Sequence, residues 1–125
     1  MTIDVKRVYD PPGPDDGARV LVDRLWPRGV SKGDAHLDAW RKDLAPSSEL
    51  RTWFHHEPER FAEFERRYRA ELDGNPGVAE VAALGAGGSR LTLLYSARDT
   101  EHNQALVLQD VLRNYLEETD SGSGA

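Results

Sequence analysis

The sequence predicts an α/β fold in a single domain, and three observations carry that prediction. At 125 residues the chain has the size at which one core removes roughly two-thirds of the unfolded surface from water. Short apolar, β-branched stretches alternate along it with stretches of helical periodicity. Clusters of Pro, Gly and Asp separate the two kinds.

Ile3 to Tyr9 alternates Ile3, Val5, Arg7 and Tyr9 against Asp4, Lys6 and Val8, which predicts a strand that the Pro- and Gly-rich run 10–17 ends. Arg19 to Asp23 predicts a second strand, nearly continuous in apolar residues as in a strand covered on both faces. The connection is about nine residues, short for the dozen or more of a usual parallel crossover, so the relative direction of the pair stays open. Leu37 to Leu44 fits either a short strand or a helical turn. Pro46-Ser47-Ser48-Glu49 opens a helix with Ser47 as N-cap and Leu50, Trp53 and Phe54 on one side. A further helix from Pro58 spaces Phe61, Phe64, Tyr68 and Leu72 by threes and fours, a core stripe that Gly74-Asn75-Pro76-Gly77 stops.

A short helix is expected over Val78 to Leu84, then a turn over Gly85-Ala86-Gly87-Gly88, then a strand over Leu91 to Tyr95. The last helix is expected from about Glu101 to Glu118, with Ala105, Leu108, Leu112 and Tyr115 as its stripe, widened by Val107, Val111 and Leu116. The domain is thus residues 1–118, and 119–125 are expected to form a disordered tail.

Composition narrows function. With no cysteine, disulfides, thiolate nucleophiles and Cys-type zinc sites are excluded. No apolar run reaches the roughly 18 residues of a membrane helix, and the first residues lack a signal-peptide pattern, so a cytoplasmic protein is expected. The net charge of −6 argues against general nucleic-acid binding, yet residues 19–51 hold seven basic against five acidic residues and 52–125 hold seven against thirteen. A local positive surface of that kind can focus a small anion.

Ligands of open α/β sheets bind beyond the C-terminal ends of the strands. Three polar segments are candidates. Asp23-Arg24-Leu25-Trp26-Pro27-Arg28-Gly29-Val30-Ser31-Lys32 follows the second strand with three cations and a flat aromatic face, suited to a phosphate or carboxylate, or else to a loop that buries Trp26 as a plug. Ser96 to Asn103 lies between the last strand and last helix, with Asp99 or Thr100 as cap. Arg98 stands where the helix N-terminus already favours an anion, unless it simply pairs with Asp99. His102 is the best candidate acid or base of this segment. Arg51 to Glu57 holds the adjacent His55 and His56, which point about 100° apart on a helix and so make a poor metal chelate as a pair, although either could join His102 and a carboxylate in space. The Gly85–Gly88 run precedes a strand, the wrong context for a phosphate cradle, and Ser96 lacks a nucleophile elbow.

The strings Arg19-Val20-Leu21-Val22-Asp23-Arg24-Leu25-Trp26-Pro27-Arg28-Gly29, Asp43-Leu44-Ala45-Pro46-Ser47, Leu50-Arg51-Thr52-Trp53-Phe54 and Leu94-Tyr95-Ser96-Ala97-Arg98-Asp99 closely resemble the YeaO-like proteins of domain-of-unknown-function family 488, over about residues 3–117. The resemblance implies a three-layer α/β domain with a small, mainly parallel sheet flanked by helices, and a strand or extended segment at Leu37 to Leu44. It implies that Lys42 and Asn103 belong to the family pattern along with the residues above. Other branches of the wider family carry a Cys-His-Arg string where this chain reads His102-Asn103-Gln104, so no cysteine chemistry carries over.

The expected contacts to a small anionic, phosphorylated or nucleotide-like molecule are therefore Asp23, Arg24, Trp26, Arg28, Lys32, Lys42, Arg51, His56, Arg98 and Asn103. His102 and Asp99 are the acid/base candidates, and no motif names a cofactor or a metal. Two alternatives stay open. Basic residues interleaved with Trp26, Trp40 and Trp53 would suit single-stranded nucleic acid or an exposed base. A protein-interaction domain would make the loops purely structural.

Overall fold

The computed structural model describes residues 1–86 and 90–123. Strands β1 (Thr2–Arg7), β2 (Ala18–Leu21), β3 (Ala39–Trp40) and β4 (Arg90–Tyr95) form one parallel sheet in the order β1-β4-β2-β3. The helices are α1 (Lys32–Ala35), α2 (Ser48–Phe54), α3 (Phe61–Leu72), α4 (Gly77–Ala86) and α5 (Gln104–Ser123).

The direction of the first two strands, open in the sequence, is parallel, and they are not neighbours. β4 lies between them. The segment 8–17 can make the return because ten extended residues reach about 33 Å, more than the roughly 20 Å length of a six-residue strand. As an interior strand, β4 is buried from Leu91 to Tyr95, which accounts for its mostly apolar sequence, and its one polar residue there, Thr92, donates to the Asp16 carbonyl at 2.7 Å.

Register then assigns the faces. Ile3, Leu91, Val5, Leu93 and Val20 point one way, into the main core built with Leu50 and Phe54 of α2, Phe64, Tyr68 and Leu72 of α3, Val78, Val81 and Ala82 of α4, and Ala105, Leu108 and Leu112 of α5. Leu21 and Leu94 point the other way, under Trp26, Val30, Leu37 and Trp40. That second covering layer is thin: α1 and the loops around it.

Within the Leu37 to Leu44 stretch both readings hold in part, a two-residue strand followed by a 3-10 turn over Lys42–Leu44. Ser47 caps α2 as expected, its hydroxyl accepting from the Leu50 N–H at 3.1 Å. A 3-10 turn at Pro58–Arg60 precedes α3. α4 runs on through Gly85 and Ala86, and Gly87 and Gly88 of the expected turn lie outside the described residues. α1 was not anticipated: Ser31 caps it by accepting from the Asp34 N–H. α5 begins three residues later than expected and continues to Ser123, while Gly124 and Ala125 of the expected tail lie outside the described residues. No described helix is long and apolar enough to cross a membrane.

Candidate functional site

A cleft of about 690 Å³ opens beyond the carboxyl ends of β2 and β4. That volume falls within the roughly 300–1,000 Å³ of small-molecule sites. The loop after β2 contributes Asp23 to Arg28, the loop after β4 contributes Ser96 to Asp99, and α2 with the turn after it contributes Arg51, Phe54 and His56. His102 and Gln104 close it from the start of α5. Arg28 and Arg98, 70 positions apart in the chain, thus border the same cavity.

The β2 loop is held from several directions. Arg24 donates through Nε to the Pro46 carbonyl at 3.0 Å, which leaves its terminal nitrogens free. Trp26 donates to the Val30 carbonyl at 2.7 Å and stands edge-on to Trp40, ring centroids 5.2 Å apart. It is a fixed wall more than an open platform. Gly29 takes φ of 79°, the left-handed conformation that only glycine adopts without cost, and so reverses the chain after Arg28. The Tyr9 hydroxyl donates to the Arg28 carbonyl at 2.9 Å.

The loop after β4 is anchored by Arg7, which donates to the carbonyls of Ala97 at 2.9 Å and Ser96 at 3.2 Å. Arg7 escaped the sequence reading as a site residue. Its signal was a cation on the otherwise apolar parity of Ile3 and Val5.

Asp23 forms the floor, only 8% exposed. Its oxygens accept from the Ser96 N–H at 2.9 Å and from the Gln104 side-chain amide. Burial pushes its carboxyl above the ordinary value, while the Ser96 and Gln104 donors and nearby His56 draw it partly back. Gln104 also went unrecognised, although it stands in the first turn of a helix that starts beside the cleft.

Asp99 and His102 form a linked pair: His102 Nδ1 meets Asp99 Oδ2 at 3.0 Å, and the backbone N–H groups of Glu101 and His102 donate to Oδ1 at 2.8 and 3.0 Å. The Glu101 N–H, then the His102 ring and N–H, outweigh burial and hold the Asp99 carboxyl below its usual range. With a carboxylate as acceptor, Nδ1 carries the proton and Nε2 is the free nitrogen. The His102 ring rests edge-on against Phe61, centroids 5.3 Å apart.

Three nominated residues lie elsewhere. Lys32 begins α1, exposed and outside the cleft lining. Lys42 sits with Nζ 4.2 Å over the ring of Trp40. Asn103 is buried and caps α5, accepting from the Leu106 N–H and donating to the Asp99 carbonyl at 3.1 Å each. Neither Asp99 nor Thr100, then, is the α5 cap: Asp99 caps the turn before it. His55 closes α2 in the left-handed conformation, and His56 repeats it at φ of 54°. Two such residues in succession carry the chain off the helix so that His56 alone of the pair lines the cleft. Among the described residues no cluster of three or more His, Asp or Glu is arranged to hold a metal ion. Trp53 lies under Arg60 and Arg67, away from Trp26 and Trp40, so the three tryptophans do not line one groove.

The arginines divide sharply. The chain has thirteen. Among the described residues ten engage an acceptor or a carboxylate through their guanidinium groups, and Arg28, Arg51 and Arg98 engage none. All three line the cleft, and all three are exposed.

Fold and cleft define a small parallel α/β protein with an arginine-rimmed cavity at the carboxyl edge of its sheet. The chain belongs to the DUF488 family: it matches the model described as "Inactive DUF488-N3 subclade" over residues 2–125. It is 51% identical over 114 residues to the uncharacterized protein YeaO of Escherichia coli, which covers 91% of this chain and 99% of the relative. It is 48% identical over 108 residues to an uncharacterized protein of Mycobacterium tuberculosis, 86% of this chain and 91% of the relative. No solved structure matches it significantly.

Proposed function

We propose that this protein binds a phosphorylated or otherwise anionic small molecule, a nucleotide among the candidates, in the cleft beyond β2 and β4. One observation carries the reading: the three guanidinium groups left without partners are gathered at one cavity. Unpaired like charges repel, and an arginine fork is matched in geometry to a phosphate or carboxylate. Arg24, with its terminal nitrogens unoccupied, adds a fourth donor. Such a ligand fits a cytoplasmic protein.

Binding without turnover is the leading form of this reading. The family description calls the subclade inactive. Where the family resemblance implies a Cys-His-Arg string in other branches, this chain commits Asn103 to a helix cap and Gln104 to Asp23. Acid/base catalysis is the second form, favoured by the 3.0 Å contact that orients His102.

The test is a thermal-shift and calorimetric screen with inorganic phosphate, nucleoside monophosphates and sugar phosphates, repeated on Arg28→Ala and Arg98→Ala. A ligand that binds the folded state raises the melting temperature. Stabilisation by one class of anion, lost in both variants, is the expected result. Absence of any shift would end the proposal and favour a protein-interaction role. Turnover of a bound phosphomonoester that disappears in His102→Ala would promote the catalytic form.

A further inference from the structure

The charge of the cleft is graded with depth, and the grading points to the other end of the ligand. The outer residues Arg28, Arg51 and Arg98 are exposed cations. The inner ones are apolar or acidic: Phe64 at 2% exposure, Phe54 at 6% and Asp23 at 8%. Phe54 and Phe64 stack on each other with centroids 4.4 Å apart and make an aromatic inner wall.

Asp23 is a buried carboxylate that, among the described residues, forms no ion pair. It receives one N–H on each oxygen, from Ser96 and Gln104. A carboxylate offers about four lone-pair sites; the Ser96 hydroxyl also bears on Asp23, so about one remains. Gln104 must turn its NH₂ toward a carboxylate, and its side-chain oxygen, which no described donor engages, is then the atom left over. Beside the Ser96 hydroxyl, the positions left open at the floor are thus acceptors on Asp23 and Gln104. A ligand bringing N–H groups there would satisfy them and compensate the buried charge.

Resting on the anion-binding reading above, we infer that the cleft selects a monophosphate whose planar heteroaromatic body carries an exocyclic amino group, an amino-nucleotide. The phosphate would lie among the rim arginines, the ring along Phe54 and Phe64, and the amino group on Asp23 with Gln104.

The experiment compares, by calorimetry on the full chain, adenosine 5′-monophosphate with purine riboside 5′-monophosphate, which lacks only the amino group, with ribose 5-phosphate as the anion alone. A hydrogen bond to a charged group is worth about 1.5–3 kcal/mol, so the amino-nucleotide should bind about ten- to a hundredfold more tightly than its deamino counterpart. In Asp23→Asn the preference should fall below about threefold, an amide being a weaker acceptor than a carboxylate. Equal affinity of the two nucleotides in the wild-type protein overturns the inference, with or without a folded variant, as does a preference that survives in Asp23→Asn. If ribose 5-phosphate binds through Arg98 while the nucleotides are indistinguishable, anion binding stands and this inference falls. If none of the three binds, both fall.

Discussion

Alanine at Arg28, Arg51 or Arg98 should weaken anion binding and leave folding untouched, and alanine at Arg19 should do the reverse. The cleft guanidinium groups are exposed and touch no acceptor, so each single substitution should change stability by no more than about 0.5 kcal/mol. If the cleft binds an anion as proposed, each removes a charge-assisted contact worth about 1.5–3 kcal/mol, or about ten- to a hundredfold in Kd. Arg19 is 5% exposed and bonds Asp16, the His36 carbonyl at 3.1 Å and the Ala35 carbonyl at 2.9 Å. Its loss strips a buried carboxylate of one partner and orphans two carbonyls, a cost of about 3–5 kcal/mol. For a chain of this size that lowers Tm by at least about 10 °C. Urea denaturation followed by circular dichroism gives the stabilities, and calorimetry with phosphate gives the affinities. A loss above about 1.5 kcal/mol in any cleft variant would reveal a structural partner and refute the division, since a free group has nothing to lose. Unchanged phosphate affinity across all three would refute the site.

Gly17 holds φ of 65°, and a Cβ there would fall 2.5 Å from the Arg90 carbonyl oxygen. Gly17→Ala should therefore cost at least about 2 kcal/mol in urea denaturation, because the clashing atom is backbone in an interior strand. Asn103→Ala should cost about 1–2 kcal/mol by removing the α5 cap, with the loss visible as faster amide exchange at Leu106. Asp16 and Asp23 should titrate in opposite senses. Burial raises the Asp16 carboxyl, but the Gly13 N–H, Lys6 and Arg19 together hold it below the ordinary value; its contribution is present above the unfolded pKa of about 3.9 and lost as pH falls through the folded value. Burial keeps Asp23 above that value, so its contribution is present below about 3.9 and lost as pH rises through the folded pKa. Between pH 3 and 7 the Tm of Asp16→Asn should fall progressively behind wild type as pH rises, while that of Asp23→Asn should improve relative to wild type; a reversed slope in either overturns its assignment.

Much of this architecture is written in local pattern. Alternation marked β1, a nearly continuous apolar run marked β2, and the spacing of Phe64, Tyr68 and Leu72 marked α3, because burial acts on periodicity directly. The order β1-β4-β2-β3 is a different matter. It depends on residues 90–95 inserting between two strands that precede them in the chain, and no local signal encodes that. The same limit governs the cleft. The rule that ligands bind beyond strand ends led to Arg28 and Arg98, but proximity in sequence also swept in Lys32 and the family resemblance brought in Lys42, and both stand outside the cleft lining. Asp99 and Asn103 are both competent helix caps, and only burial decides that Asn103 takes α5 while Asp99 is left beside His102. His55 and His56 in succession in the left-handed region run against the preference of non-glycine residues, so the turn that brings His56 to the cleft could not be anticipated.

The contrast between paired and unpaired charge carries the functional argument further than any single residue. With a net charge of −6, carboxylates are abundant, and exposed arginines such as Arg66 and Arg67 find one, sharing Glu63. An arginine left alone on such a protein therefore calls for an explanation in its surroundings. At the cleft the nearest acids are already committed: Asp23 to Ser96 and Gln104, Asp99 to the turn that carries His102. The fold thus uses its local carboxylates to hold the cleft's shape and leaves the rim guanidinium groups unpaired, and on the proposed reading an incoming anion would pair with them. Sites of this kind concede stability for function. An arginine rim needed only for solubility would have no reason to converge from three separate segments of the chain onto one cavity.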